Sequence, residues 1–264
     1  MTLFDEVDAA PVPQRVLVTG GAGGLGQVIA CRFHESGARV HLCDCSAAAL
    51  AQALASHPGM HGTVADVARS EEVRMFVREA CEWMGGVDVL VNCAGDVGPR
   101  APIEEIGDDE WTRTVEVNLS GMFYCIREVT PLMRAQRSGA IVNIGSTSSR
   151  TGLPRRSAFV AAKAGVLGLT LNVARELGPD NVRCNAVLPG ILDNHTGREL
   201  VARRARERRV SNDEVEADLL SYVSMRSWIE PEEVAALVVY LASPAARHVS
   251  GQAIGVCGNL EWER

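Results

Sequence analysis

No stretch of about 18 consecutive apolar residues occurs in the 264 residues, which argues against a membrane-spanning helix. No C-x-x-C pair links any of the eight cysteines, Cys31, Cys43, Cys45, Cys81, Cys93, Cys125, Cys184 and Cys257, and no metal-ligand constellation appears. Basic residues are in deficit. The net charge is −7 and the pI about 5.4, so a generic affinity for nucleic acid is not expected. The opening run MTLFDEVDAAPVPQ has acids and prolines without a basic-then-apolar order and does not read as a signal peptide. Glycine and proline are too few for a collagen-like or low-complexity chain, and 47% apolar residues are too many for intrinsic disorder. What remains is an ordinary globular composition, long enough to bury a core without disulfide or metal staples. Several cysteines lie in apolar, strand-like runs, so buried reduced thiols and a cytoplasmic location are expected.

Strand-like and helix-like segments alternate. Strands are predicted at 15–19, 39–43, 60–65, 87–91, 140–144, 182–188 and 253–257. Helices are predicted at 24–36 (closed by Gly37), 46–56, 70–84, 108–137, 157–177 and 232–242. Ser70, Glu71 and Glu72 supply the acidic first turn of one of them. Short apolar strands between helices imply an α/β fold: one Rossmann-type doubly wound domain over 13–264, behind an N-terminal tail of 1–12. Its seven-stranded parallel sheet carries helices on both faces, with ligands at the strand C-termini. Residues 195–226 interrupt the alternation with a polar, Arg-rich, helix-prone insertion after the sixth strand. It reads as a substrate lid, or as a solvated surface helix.

Between the first strand and the first helix stands Thr19-Gly20-Gly21-Ala22-Gly23-Gly24-Leu25-Gly26. Glycines there allow a tight turn and let a pyrophosphate approach the helix N–H groups. The second strand ends at Asp44, 18 residues beyond Gly26. An acid at that place accepts both adenosine ribose hydroxyls and repels a 2'-phosphate, and neither position 44 nor 45 is basic. NAD is therefore favoured over NADP.

With the residues that follow, the sequence resembles the short-chain dehydrogenase/reductase family over roughly 13–260. The T-G-x-x-x-G-x-G pattern falls on Thr19, Gly20, Gly24 and Gly26, and the Asp-Val pair after the third strand on Asp66-Val67. The N-N-A-G pattern is Asn92-Cys93-Ala94-Gly95, with Cys for the second Asn. The helix Asn is Asn118, the catalytic Ser is Ser146, and the Pro-Gly after the sixth strand is Pro189-Gly190. The resemblance implies a cofactor-binding set of Gly20, Gly23, Gly24, Leu25, Gly26, Asp44, Asp66, Val67, Asn92, Ala94, Gly95, Lys163, Pro189, Gly190 and Ile191. It implies catalytic positions at Asn118, Ser146, 159 and Lys163, no metal, and an alcohol or ketone as substrate.

One position departs. The family's Y-x-x-x-K reads Phe159-Val160-Ala161-Ala162-Lys163, in register thirteen positions after Ser146 but without the hydroxyl. In the family that tyrosinate carries the proton, Lys favours the phenolate by its charge, Ser holds the substrate oxygen, and Asn fixes a water that leads to Lys. Phe159 preserves the ring and carries no proton, so cofactor binding is expected to survive and hydride transfer to be severely reduced. Three readings follow: an inactivated Tyr-to-Phe form of a dehydrogenase, a natural NAD-binding pseudoenzyme or scaffold, or an enzyme with another proton carrier such as His195 or Tyr222.

Other signals are softer. Arg150, Arg155 and Arg156, with Arg198, Arg203, Arg204, Arg206, Arg208 and Arg209 in the insertion, suggest an anionic substrate or a solvated face paired with Glu199 and Glu207. His57 and His61 are separated by a helix-breaking Pro58-Gly59, so they do not make a metal pair. Ser146 lacks a G-x-S-x-G setting, and Lys163 beside a dinucleotide site suits ribose binding better than Schiff-base chemistry. Family members pair the helices equivalent to 108–137 and 157–177 into tetramers. Val117, Phe123, Ile126, Val166, Leu169 and Val173 are expected to serve both the sheet and such a homotetramer.

Overall fold

The computed structural model describes residues 13–261; the expected tail, 1–12, lies outside the described residues. The strands are β1 (Arg15–Thr19), β2 (Arg39–Asp44), β3 (His61–Val64), β4 (Val89–Asn92), β5 (Gly139–Ile144), β6 (Val182–Pro189) and β7 (Ala253–Val256). They form one sheet in the order β3-β2-β1-β4-β5-β6-β7, and every neighbouring pair is parallel. Winding reverses between β1 and β4, so a crevice opens at the C-terminal ends of those two strands.

Period-two alternation assigns each strand residue to one of two cores. Val16 and Val18, Val89 and Val91, and Ala140, Val142 and Ile144 face one side. Leu17, Leu90 and Ile141 face the other. The helices are α1 (Gly24–Glu35), α2 (Ala47–Ser56), α3 (Ser70–Met84), α4 (Asp108–Val115), α5 (Gly121–Gln136), α6 (Ser148–Thr151), α7 (Ser157–Leu177), α8 (His195–Arg208), α9 (Asn212–Leu220) and α10 (Pro231–Ala242). Ile29 and Phe33 of α1, Leu50 of α2, and Val234, Val238 and Leu241 of α10 cover the first side. Phe76 of α3, Ile126, Val129 and Met133 of α5, and Val173 and Leu177 of α7 cover the second. Burying a side chain such as Phe33 or Phe76 is worth roughly 1.5–3 kcal/mol, so these two layers carry most of the stabilisation. The α/β expectation thus holds strand for strand, with boundaries shifted by a residue or two. For example, β4 runs Val89–Asn92 where 87–91 was expected.

One expectation needs correction, and the structure adds detail to three others. The helix foreseen at 108–137 is broken by a π turn, Glu116–Ser120. Asn118 Nδ2 donates to the Thr114 carbonyl (2.9 Å), the acceptor an unbroken α-helix would offer to the Asn118 backbone N–H. The insertion at 195–226 is two helices with a small core of their own. Val201, Ala205, Val215 and Leu219 pack together with Ile191 and Trp228.

The segment 157–180 is long enough, and apolar enough at a mean hydropathy of 1.5, to cross a membrane by length and composition alone. Val166, Val173 and Leu177 are nonetheless buried, and Lys163 lies within the segment. Finally, of the residues expected to serve both the sheet and a partner, Val117, Ile126, Val166 and Val173 are spent on the protomer's own interior. Phe123 stays exposed, as does Leu171.

Candidate active site

The glycine turn is fixed from two sides. Gly20 has φ +63, and a Cβ there would meet the Ala94 Cα at 2.8 Å. A Cβ on Gly26 would run into the Gly20 carbonyl oxygen. Both glycines answer to the protein's own packing. Gly23 and Gly24 differ, for a Cβ on either would meet nothing within 4 Å. Gly24 has φ +51, which accounts for glycine there. Gly23 has an extended φ of −161, which any residue adopts, so the fold itself makes no demand for glycine there. An open cradle at the N-terminus of a 12-residue helix, kept free of side chains, fits a pyrophosphate. Leu25, by contrast, is buried against the first core and supports the turn from beneath.

Thr19 joins this turn to β4. Its Oγ1 accepts from the backbone N–H of Cys93 (3.0 Å) and of Ala94 (3.1 Å). The hydroxyl was legible only as one letter of a pattern, and its service as a clamp between two distant strands is visible only in the fold. Asp44 ends β2 as expected. Its Oδ2 accepts from the Ala22 N–H (3.2 Å) and its Oδ1 from the Ser46 N–H (3.0 Å), so the acid is aimed at the turn and half-buried. Asp66 is engaged elsewhere. Its carboxylate accepts from Arg113 Nη1 (2.7 Å) and from the Ala68 N–H (3.0 Å). Burial pushes that carboxyl up, but the Arg113 guanidinium and the Ala68 N–H outweigh it and hold the group below the ordinary carboxylate range. Val67 lies beneath, where a Cβ on Gly121 would meet it at 2.9 Å.

The catalytic candidates meet at the ends of β4 and β5. Lys163 is buried, and its Nζ donates to the Ile144 carbonyl (2.8 Å). Burial lowers its pKa to about 8. Phe159 lies one helical turn earlier on α7, with its ring centroid 5.8 Å from Lys163 Nζ. The aromatic ring therefore stands beside the ammonium, as the Y-x-x-x-K register requires.

Asn118 Nδ2 also donates to the Asp96 carbonyl (2.7 Å), and its Oδ1 accepts from the Asp96 N–H (3.3 Å). A Cβ on Gly95 would meet that Oδ1 at 3.2 Å and Lys163 Nζ at 3.8 Å, so Asn118, Gly95 and Lys163 share one small space. Ser146 follows β5 and is half-buried. Its Oγ is 2.8 Å from Ser148 Oγ and accepts from the Ser148 N–H (3.2 Å). Asn92 is interior, bound to Asn143 Oδ1 (2.9 Å), and so acts on the strand ends rather than in the opening. Cys93, in the place of the second Asn, has its thiol pushed up to about 12 by burial, against the pull of Lys163, and stays neutral.

Pro189 closes β6, and the Gly190 N–H donates to the Val256 carbonyl (2.9 Å). A Cβ on Gly190 would meet the Cys257 Cα at 2.8 Å, so this glycine also serves packing. Ile191 packs on the insertion's core. His195 sits exposed at the start of α8, its Nδ1 3.6 Å from Glu199. Tyr222 follows α9 and is half-buried. Among the described residues no group of three or more His, Cys, Asp or Glu side chains is placed to hold a metal ion.

Comparison with known proteins agrees with this geometry. A family profile described as enoyl-(acyl carrier protein) reductase matches residues 20–259. The chain is 34% identical over 249 residues to the 3-oxoacyl-(acyl-carrier-protein) reductase FabG of Staphylococcus epidermidis, covering 92% of this chain and 97% of that one. Among solved structures, a point variant of actinorhodin polyketide ketoreductase with NADPH superposes with a TM-score of 0.89 at 32% identity, over 95% of this chain and 98% of that one. NAD+-bound xylitol dehydrogenase superposes with a TM-score of 0.86 at 28% identity, over 93% and 98%. The two differ in cofactor, so the fold they share with this chain carries either nucleotide. Sequence and fold matched along nearly the whole length place the chain in the short-chain dehydrogenase/reductase family of nucleotide-binding oxidoreductases.

Proposed function

We propose that the chain binds NAD(H) and is an oxidoreductase of secondary alcohols and ketones in which Phe159 has taken the place of the proton-carrying tyrosine. The observation that carries the reading is Phe159 beside Lys163 at 5.8 Å, with Ser146, Asn118 and the open glycine cradle otherwise intact. When bound, the nicotinamide supplies the hydride acceptor or donor. Gly23, Gly24 and the α1 N-terminus hold the pyrophosphate. Asp44 accepts the ribose hydroxyls at the end of β2 and disfavours a 2'-phosphate, while Asp66 and Val67 border the adenine. Ala94 and Gly95 form the opposite wall with Pro189, Gly190 and Ile191, and Asn92 supports them from the end of β4. Lys163 Nζ holds the nicotinamide ribose, and the Ser146 hydroxyl holds the substrate oxygen. The residue 159 ring shapes the pocket but neither gives nor takes a proton, so turnover falls by about 10²–10⁴-fold or more.

The insertion 195–226 acts as a lid over the substrate. The protein works as a homotetramer in the cytoplasm, where eight unpaired thiols suit a reducing medium. Phe123 and Leu171 are the exposed apolar residues that partner helices would cover. Light scattering that gives a monomer at micromolar concentration would refute the assembly.

The test is F159Y and the unaltered chain assayed side by side, by NADH absorbance, on a panel of secondary alcohols and ketones. F159Y gains turnover and F159Y/K163M does not, because the phenol needs the Lys163 charge. Strong turnover by the unaltered chain sinks the reading in favour of another proton carrier, tested by H195A and Y222F. Equal NADH binding with no turnover by either chain favours a binding scaffold. A titration in which NADPH binds as tightly as NADH removes the argument from Asp44.

A further inference from the structure

The arginines that crowd the substrate side fall into two classes. Arg198 is bound by Asp193 (2.6 and 2.5 Å) and Glu216 (2.8 Å), and Arg208 by Asp218 (2.7 Å). These are surface ion pairs and explain themselves. Arg100, Arg155, Arg156 and Arg204 make no ion pair among the described residues.

Arg100, Arg155, Arg156 and Arg203 converge on a cavity of about 560 Å³, floored by the backbone of Val97 and Gly98. Two acids act on it: Glu207 lines it, 3.8 Å from Arg203 Nε, and the Asp96 carboxylate, bonded to the Gly98 N–H (2.9 Å), interacts with Arg156. Arg204 stands on the same helix, with a buried Nε that has no hydrogen-bond partner. Burial lowers the pKa of both Arg156 and Arg204. Arg100 and Arg203 lower each further, while Asp96 opposes this at Arg156 and Glu207 at Arg204, so Arg100, Arg156, Arg203 and Arg204 interact with one another and with two acids. Arg155 is held in the left-handed region at φ +67, a conformation that persists in a large residue only when its surroundings impose it.

The cavity adjoins the reacting groups. Arg156 Nη1 donates to the carbonyls of Val97 (2.9 Å) and Gly98 (2.5 Å), on the loop whose Asp96 is gripped by Asn118. Arg156 also caps α7 three residues before Phe159, and no side chain caps that helix, so its positive end adds to the field.

We propose that this cavity takes an anionic group, a carboxylate or a phosphate, borne by the alcohol or ketone that reacts at Ser146 and residue 159; the proposal rests on the oxidoreductase reading above. Four cations facing two acids, Glu207 and Asp96, leave an excess of positive charge that an entering anion relieves, and a planar oxyanion accepts two guanidinium N–H groups at once. A volume of this size lies within the range of small-molecule sites.

The test is calorimetric titration of the NADH-loaded chain with malonate and, separately, with inorganic phosphate. Both probes are used so that carboxylate and phosphate sources are told apart. Binding of at least one is expected, weakened about tenfold or more by R100Q and again by R203Q, as loss of a charge-assisted contact requires. R206Q, on the same helix but outside the cavity, should bind like the parent. Absence of binding by both probes overturns the proposal, and so does binding that R100Q and R203Q leave unchanged. NADH affinity is measured in parallel. If NADH does not bind, the oxidoreductase reading fails by itself, and the anion titration without cofactor still decides the cavity by its dependence on Arg100 and Arg203.

Discussion

At one end of the crevice the nucleotide side is held by backbone packing and by two short side chains that bind backbone amides. Gly20 and Gly26 are locked against Ala94 and against each other, Thr19 grips two amides of β4, and Asp44 grips the turn. At the other end the candidate groups are side chains from five separate segments. Asn118 comes from a π turn, Ser146 from the end of β5, Phe159 and Lys163 from α7, and the arginines from a loop and the insertion. Backbone geometry tolerates few substitutions, so the first end is conservative. Side chains held by single contacts can be exchanged with the scaffold intact, so the second end is where a family varies its chemistry. On the proposed reading Phe159 is such an exchange, a filled ring position without a proton carrier.

The largest effect that would test this contrast after F159Y is on Lys163. Its folded pKa, about 8, lies below the ordinary value of 10.5. Between those two values the unfolded chain binds more protons, so the contribution of Lys163 to stability rises as the pH rises from about 8 to 10.5. The full amount is on the order of 3 kcal/mol. Denaturant unfolding of the parent and K163M at about pH 7 and about pH 10 should show the parent gaining relative to K163M. The buried thiols, which act in the opposite direction, cancel in that difference. A constant gap between the two proteins would show that the ammonium is not desolvated.

A smaller pair of effects separates packing from ligand binding within the turn. G26A should lose about 1–3 kcal/mol of stability, because its Cβ meets the Gly20 carbonyl. G23A should unfold with the parent, because its Cβ meets nothing. Calorimetry should nonetheless show about tenfold or more lost in NADH affinity, since the added methyl stands where the phosphate approaches. Normal NADH binding by G23A would move the cofactor away from this cradle.

The smallest effect concerns the lid. The insertion is anchored by its own core of Val201, Ala205, Val215 and Leu219, so it should close as a body rather than fold on demand. Amide exchange over 195–226 should slow by several-fold when NADH and malonate are both bound. If exchange is the same with and without them, the insertion is surface and not lid.

Alternation of short apolar runs with amphipathic helices set the sheet, its parallel sense and its two covered faces, because period two and period 3.6 are local properties of the chain. The glycine turn, Asp44 and the Phe159–Lys163 register were legible for the same reason: each lies within one short segment. The π turn at Asn118 was not, since it depends on a side chain competing with the backbone for the Thr114 carbonyl. The engagement of Asp66 by Arg113, 47 residues away, and the service of Thr19 to β4 were equally invisible. Among the arginines, sequence could count charges but not sort them. Ion pairing within the insertion claimed Arg198 and Arg208, while the meeting of the loop at Arg100 with α7 and α8 left a cavity where guanidiniums outnumber the acids Glu207 and Asp96. Local pattern fixes what each segment becomes. Which side chains find partners is decided by long-range packing, because hydrogen bonds and ion pairs act over a few ångströms that only the folded chain brings together.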